Sequence, residues 1–433
     1  VGLESGPLYG VQFSQLPCSD LAARFGADGL IGPKRSPLGL AADPGGFPLY
    51  KNGVVVGGIG VMGDGVYGFD PNILDVDSDA EEFIALAGTV GFEAPRTIQA
   101  DRISVDGTTL RYSDAQTSGL SVGATPSFAS LNGSAGGLVA VPGYSAAAIV
   151  AGAAYGTEQS GIRAATAAEF SNRDAFVLSN GSGTNRFAVR GGTDAASVAQ
   201  PLTAAEARTI LEEAFLIMTR TRAQIRQPLD SRAQVSISLV DTHGAVLGLV
   251  RSPDAPIFGI DVSLQKARTA AFFSNAQAGA QLLGNASPDV RAMLQAARTF
   301  FGNQNAFTGQ NAWSNRAIGN ISRPHFPDGE AARPPGPFSR SLAGFSPFST
   351  GLQSALVFSN IVQHVNFLLA GAPDTPARCT STPDVVVGQN RLQNGIQIFP
   401  GSVPVYRGST LVGAVGVSGD GIDQDDMIAF LGT

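Results

Sequence analysis

Lysine is almost missing from this chain. Of 28 basic residues only Lys34, Lys51 and Lys266 are lysines and the rest are arginines, a bias that reads as base composition or habitat rather than function. Charge as a whole is sparse, at 15% of residues, with a net of -7 and a pI near 5.0. No basic stripe interrupts that balance, so nucleic acid and anionic membrane surfaces are disfavoured partners. Hydrophobic residues reach 43%, yet no apolar run attains the length of about eighteen that a membrane-spanning helix requires. There are two cysteines, Cys18 and Cys379, with no C-x-x-C, which removes zinc clusters and c-type haem attachment as sequence signals. One long-range disulfide would suit an exported, periplasmic or extracellular protein; two buried thiols are the equal alternative. Initiator methionine is absent before Val1, so a processed product or a piece of a larger precursor is expected.

Glycine and proline are abundant, 54 and 26 residues, which points to many turns rather than a helical bundle. The chain also repeats itself. FPLYKNGVVVGGIGVMGDG at 47–65 aligns without a gap to VPVYRGSTLVGAVGVSGDG at 403–421, at a constant offset of 356. Tyr50 meets Tyr406, Gly57 meets Gly413 and Gly60 meets Gly416; upstream, Gly32 meets Gly388, Arg35 meets Arg391 and Pro44-Gly45 meets Pro400-Gly401. FIALAGT from Phe83 then matches MIAFLGT from Met427 after the first copy inserts about twelve residues. A repeat of this kind governs the fold reading before any single element does. Copy two has roughly 200 residues before its Pro-Gly turn and copy one about 43, so copy one lacks its opening helix and strands. Its front is expected to be cleaved, or to come from a second polypeptide or another protomer.

Local patterns fill in the second copy. Thr203 and Glu206 form a capping box for an amphipathic helix running to about Gln224, with Ala207, Leu211, Ala214, Phe215 and Met218 at helical spacing. Val235, Ile237 and Leu239 alternate as a strand, Asp241-Thr-His-Gly244 is a turn, and Ala245 to Arg251 returns. A helix is expected from about Asp261 to Leu283 and another over 352–370, with a final hairpin across Arg407-Gly408. Residues 300–350, with Trp313, His325 and a run of prolines, are too long for a plain connection and are a candidate functional loop. Residues 96–200 are rich in Gly, Ala, Ser and Thr with short β-like pieces, among them Ala175 to Leu178 and Arg186 to Val189.

VSISLVDTHGAVLGLVR, LQKARTAAFF and PVYRGSTLVGAVGVSGDGIDQDDMIAFLG together resemble the GlcG/HbpS-like, DUF336-type, haem-binding domain family, over about 200–433 with its last third repeated at 30–92. The resemblance implies an α+β fold, a profilin-like antiparallel sheet with packed helices, here duplicated with a β-rich linker between copies. The boundaries expected are 1–95, 96–200 and 201–433. Hairpins that outnumber βαβ crossovers agree with an antiparallel sheet. The resemblance also implies compact oligomers and haem as the ligand.

Haem needs an axial ligand, apolar walls and cations for its propionates. The histidines are His243, His325 and His364. His243 falls in the hairpin turn, where exposure is expected; His364 lies on a helix among apolar residues as a core or rim histidine. His325, in Arg323-Pro-His-Phe-Pro327, is the preferred ligand, with His364, Arg323 and Lys266 as the other candidate contacts. Asp75, Asp77, Asp79 and Glu81 space carboxylates at every second position, as oxygen-ligand loops for calcium do, although the Gly and closing Glu of an EF-hand are missing. A solvated acidic loop capping the helix from Asp79 is the plainer reading. No nucleophile elbow, Walker loop or zincin signature is present, so no catalytic residue is assigned. The sequence thus favours an exported haem or small-ligand binding protein without catalysis of its own. The alternatives are an assembly subunit that docks a redox protein and an enzyme acting on a small oxidised metabolite.

Overall fold

The computed structural model describes residues 44–63, 75–105, 107–119, 133, 136–137, 153–228, 230–327, 332–341, 351–368, 371–373 and 378–433. The chain divides into two compact units, whose described residues fall within 44–137 and 153–433.

The first unit is built on a hairpin of β1 (Gly46–Lys51) and β2 (Val54–Gly60). Its two-residue turn, Asn52-Gly53, has φ of 53° and 77°, the left-handed pair whose twist matches that of the strands. Asp79 then caps α1 (Ala80–Ala87), its side chain accepting the amide of Glu82 at 2.7 Å. Ala85 and Leu86 of α1 pack on Phe47, with Ile59, Val61, Tyr112 and Ala115 around them. A small ladder of β3 (Ser104–Val105) and β4 (Thr108–Thr109) follows.

The second unit contains β5 (Ile162–Ala164), β6 (Phe176–Leu178), α2 (Ala204–Arg220), β7 (Ser236–Val240), β8 (Val246–Arg251), α3 (Gly259–Phe273), α4 (Ala278–Leu283), α5 (Pro288–Phe300), α6 (Asn315–Ile321), α7 (Leu352–Leu368), β9 (Asp384–Val386), β10 (Gln389–Asn390), β11 (Ser402–Arg407), β12 (Thr410–Ser418) and α8 (Ile422–Leu431). Six strands form one antiparallel sheet in the order β11-β12-β7-β8-β6-β5. Strand alternation sorts its two faces. Ile237, Leu239, Val415 and Val417 point to one side, where Leu211, Phe215 and Met218 of α2 and Ile428 of α8 close a core. Val240, Leu249 and Ala414 point to the other and meet Leu264, Ala267 and Ala271 of α3. Beyond α3 a third layer, made by α4 to α7, packs Leu282, Leu294, Ile318 and Leu356 around Phe272 and Phe273. Every residue of α3 is therefore buried. The fold is α+β, as expected, and the capping box at Thr203 and Glu206 is present.

The last hairpin reproduces the first residue for residue. Gly46 pairs with Gly60 and Leu49 with Gly57, and the ladder then shifts to Tyr50 with Val55. Likewise Ser402 pairs with Gly416 and Val405 with Gly413, and the shift brings Tyr406 to Leu411. Val56 and Val412 are thus the extra residues of equivalent β-bulges. Ahead of each hairpin, Gly45 (φ 108°) and Gly401 (φ 124°) accept the amides of Val61 and Val417 at 2.9 and 2.7 Å. A side chain at either would strike a carbonyl, that of Val61 at 2.7 Å or of Val417 at 2.6 Å.

Several expectations are corrected. The single helix over 261–283 is broken into α3 and α4, because Asn275 accepts the Gln277 amide at 2.9 Å in a local turn. The Gly279 amide then bonds the Phe307 carbonyl at 2.7 Å. The described part of 300–350, expected as a functional loop, contributes a helix and core aromatics instead. Ser314 caps α6, and Phe307 and Phe338 stack at 5.5 Å inside the helical core, with Trp313 on Phe307 at 4.8 Å. The stretch 96–200 is divided: 96–119 belongs with the first unit, whereas β5 and β6 extend the second unit's sheet. Arg186 to Val189 is not a strand. Cys379 is disulfide-bonded and buried among Leu356 and Leu392; Cys18 lies outside the described residues. So does Arg35. Among the described residues no helix is long and apolar enough to cross a membrane.

Candidate ligand cleft

The turn between β7 and β8 is held by two carboxylates. Asp241 accepts the amides of His243 (2.9 Å) and Ala245 (3.0 Å) through one oxygen and the Thr193 amide and hydroxyl (2.8 and 2.7 Å) through the other. Asp194 accepts the amide and hydroxyl of Thr242 at 3.0 and 2.7 Å. Gly244 sits at φ 78°, and a Cβ there would lie 2.7 Å from the Arg391 carbonyl, so only glycine lets the two segments touch. Two buried arginines grip the same turn: Arg268 Nε donates to the Gly244 carbonyl at 2.9 Å and Arg391 Nε to that of Thr242 at 3.1 Å. His243 is buried rather than exposed, its Nε2 2.9 Å from the Ser197 hydroxyl, while its carbonyl accepts from Gln389 at 3.1 Å.

Beside this turn opens a cleft of about 400 Å³ lined by Ser197, Thr242, Ser274, Arg391, Tyr406 and Leu411 among others. Arg391 is only 5% exposed, and burial pulls its pKa down while the Asp241 carboxylate opposes the shift. An arginine is not deprotonated in a protein near neutral pH. Thr242 takes the Nε–H, and Arg391 lines the cleft. Burial pushes the Tyr406 hydroxyl up, with Ser274 as its hydrogen-bond neighbour, so it remains a neutral donor near pH 7. A forked guanidinium with hydroxyls around it suits a small carboxylate or similar anion.

The residues singled out from the sequence are held by different neighbours. Lys266 Nζ, buried in α3, donates to Asp425 at 2.9 Å and to the Val417 carbonyl at 2.8 Å. His364, buried in α7, stacks on Phe367 with ring centroids 5.9 Å apart. The Arg323 guanidinium lies 5.2 Å from the Phe399 ring. His325 is half-buried after α6, its Nδ1 3.2 Å from the Arg333 carbonyl, with Phe326 edge-on to Phe300 at 5.0 Å. The calcium expectation is corrected: the carboxylates diverge. Asp79 is spent on the helix cap, Glu81 turns inward to accept the Gly63 amide, and Asp75 and Asp77 are exposed. Among the described residues no group of His, Cys, Asp or Glu is placed to hold a metal ion. Sequence reasoning missed Arg391 and Tyr406 as site residues, although both stand in the repeat, opposite Arg35 and Tyr50.

An antiparallel sheet covered on both faces, with a polar cleft at its hairpin end, defines an α+β domain present once whole and once in part. Residues 210–314 and 369–432 match the family described as haem degrading protein HbpS-like. Among solved structures it is similar to the Klebsiella pneumoniae protein ORFY, of the DUF336 family, at 18% identity and a TM-score of 0.26, covering 54% of this chain and 88% of that one. It is also similar to a structure described as a PduOC:heme complex, at 16% identity and a TM-score of 0.21, covering 52% and 88%. No curated protein matches the chain.

Proposed function

We propose that the HbpS-like domain is a haem or small-ligand binding module whose cleft takes an anionic group on Arg391. One observation carries this reading: a guanidinium nearly withdrawn from solvent, anchored through Nε, on a residue that lines a cavity. Tyr406 and the serine hydroxyls would complete the anion's hydrogen bonds. Oxalate and haemin, added separately to the full chain, serve as probes, and either is expected to raise the melting temperature. Arg391→Gln should abolish the rise given by oxalate, and Tyr406→Phe should weaken oxalate binding by roughly tenfold in affinity, the worth of one hydrogen bond to a charged group. An oxalate-induced rise of equal size in Arg391→Gln would sink the reading.

His325 supports haem as the particular ligand. An Nδ1–H committed to the Arg333 carbonyl leaves the Nε2 lone pair for a metal, the arrangement common to metal-bound imidazoles. Phe326 and Phe300 offer apolar surface beside it, and Arg323 a cation for a propionate. Iron, when bound there, would supply the redox chemistry. Titrating the protein with haemin is expected to give a Soret band that His325→Ala shifts or removes; an unchanged spectrum in that variant assigns the iron elsewhere. The Cys379 disulfide supports a periplasmic or extracellular location.

A further inference from the structure

The two copies of the hairpin are the same in register and unlike in what covers them. Val412 is 1% exposed, and its counterpart Val56 is 57% exposed. In the second unit β12 pairs along its length with β7, from Ala414 opposite Val240 to Ser418 opposite Ser236. Among the described residues no strand lies on the corresponding edge of β2. The glycines make the same point. A Cβ on Gly416 would run into the Ser263 carbonyl and come within 2.6 Å of the Ala267 amide, because α3 lies directly on that face. Its counterpart Gly60 has nothing within 4 Å, and neither has Gly57, whose counterpart Gly413 abuts the Val240 carbonyl. On the other face α1 does for β1 and β2 what α8 does for β11 and β12: Ile59 and Val61 pack with Ala85 and Leu86.

We propose that the open face and free edge of β2 dock a separate polypeptide that supplies a strand beside Gly58 to Val61 and a helix across Gly58 and Gly60, whose counterparts Ala414 and Gly416 lie under α3. This partner has the build that residues 203–273 have here: helix, hairpin, helix. Its second helix presents small residues to Gly60, as α3 presents Ser263 and Ala267 to Gly416. A second copy of this chain does not fit, since its own β7 and α3 are already covered by its own β12. Main-chain pairing along an exposed edge supplies affinity, and the glycine-lined face selects a helix that approaches closely.

The test uses the full chain with a benzophenone amino acid in place of Val56, produced in its native cells and irradiated. The expected product is an adduct with a different polypeptide. Mass spectrometry should map the attachment to a helix–hairpin–helix segment with alternating apolar strands. Gly60→Leu should cut the adduct by about tenfold or more, since a leucine there meets the docked helix. The same substitution should leave the melting temperature of the isolated chain unchanged, because its side chain enters open space. An adduct only between copies of this chain overturns the proposal, as does an adduct indifferent to Gly60→Leu. So does no adduct at all from a chain that light scattering shows to be monomeric.

Discussion

Lys266→Met is expected to lower the free energy of unfolding by roughly 3–5 kcal/mol, the range seen when one partner of a buried ion pair is removed. Lys266 and Asp425 are 2% and 3% exposed at their side chains and 2.9 Å apart. Without the ammonium, the carboxylate keeps the Asp420 amide at 3.3 Å and no compensating charge of opposite sign in that contact. A double variant, Lys266→Met with Asp425→Leu, should recover most of the loss, and urea unfolding of the set measures it. The pH dependence has a definite sign. Burial pushes Asp425 up to about 6 even beside Lys266, above the value near 3.9 of an unfolded aspartate. The folded state therefore holds a proton that the unfolded chain has released. This group's contribution favours the fold fully below about pH 4 and fades as pH rises through about 6. Asp425→Asn should flatten the stability profile across that window, and a slope unchanged in this variant would refute the assignment.

Gly416→Ala is expected to cost about 1–3 kcal/mol, as overpacking a close-packed interior does, whereas Gly60→Ala should cost almost nothing. The two positions share sequence context, strand register and bulge, so intrinsic strand preference cancels between them. What remains is α3, which rests on one and has no counterpart over the other among the described residues. Thermal unfolding of the two variants followed by circular dichroism decides it. Equal losses would mean that the glycines are kept for the hairpin itself rather than for what lies across it.

How much of this was legible beforehand depended on how local each signal is. Thr203 with Glu206, the alternation of Val235, Ile237 and Leu239, and the repeated hairpin all act within a few residues and each element forms, although the helix stops at Arg220 rather than Gln224 and β7, expected half-buried, is Ser236–Val240 and buried throughout. The division of α3 from α4 was hidden because Ser274 to Gln277 carry no proline or glycine; the break is set by Asn275 and by the Gly279 amide reaching Phe307. The aromatic segment after residue 300 looked like a binding loop because its composition is that of a loop. Phe307 and Phe338 instead fill a core whose other half, Phe272 and Phe273, lies some 30 residues or more away. His243 was misjudged for a similar reason: a turn is exposed unless something packs over it, and here Ser197, Gln389 and Arg391 do. Arg391 and Tyr406 were visible as repeated residues, yet nothing in their spacing shows that the chain folds them onto one cleft.

The joint between β6 and β8 consists of one residue pair, Phe176 with Arg251, while β7 and β8 share five. A sheet so unevenly stitched comes apart in order. Amides of β5 and β6 should exchange with solvent through small local openings while those of β7 and β12 wait for global unfolding. The segment leading into the domain is then a flap laid against a finished sheet, and Arg251, whose guanidinium bonds the Tyr155 hydroxyl and the Ala255 carbonyl, is the peg on which it closes.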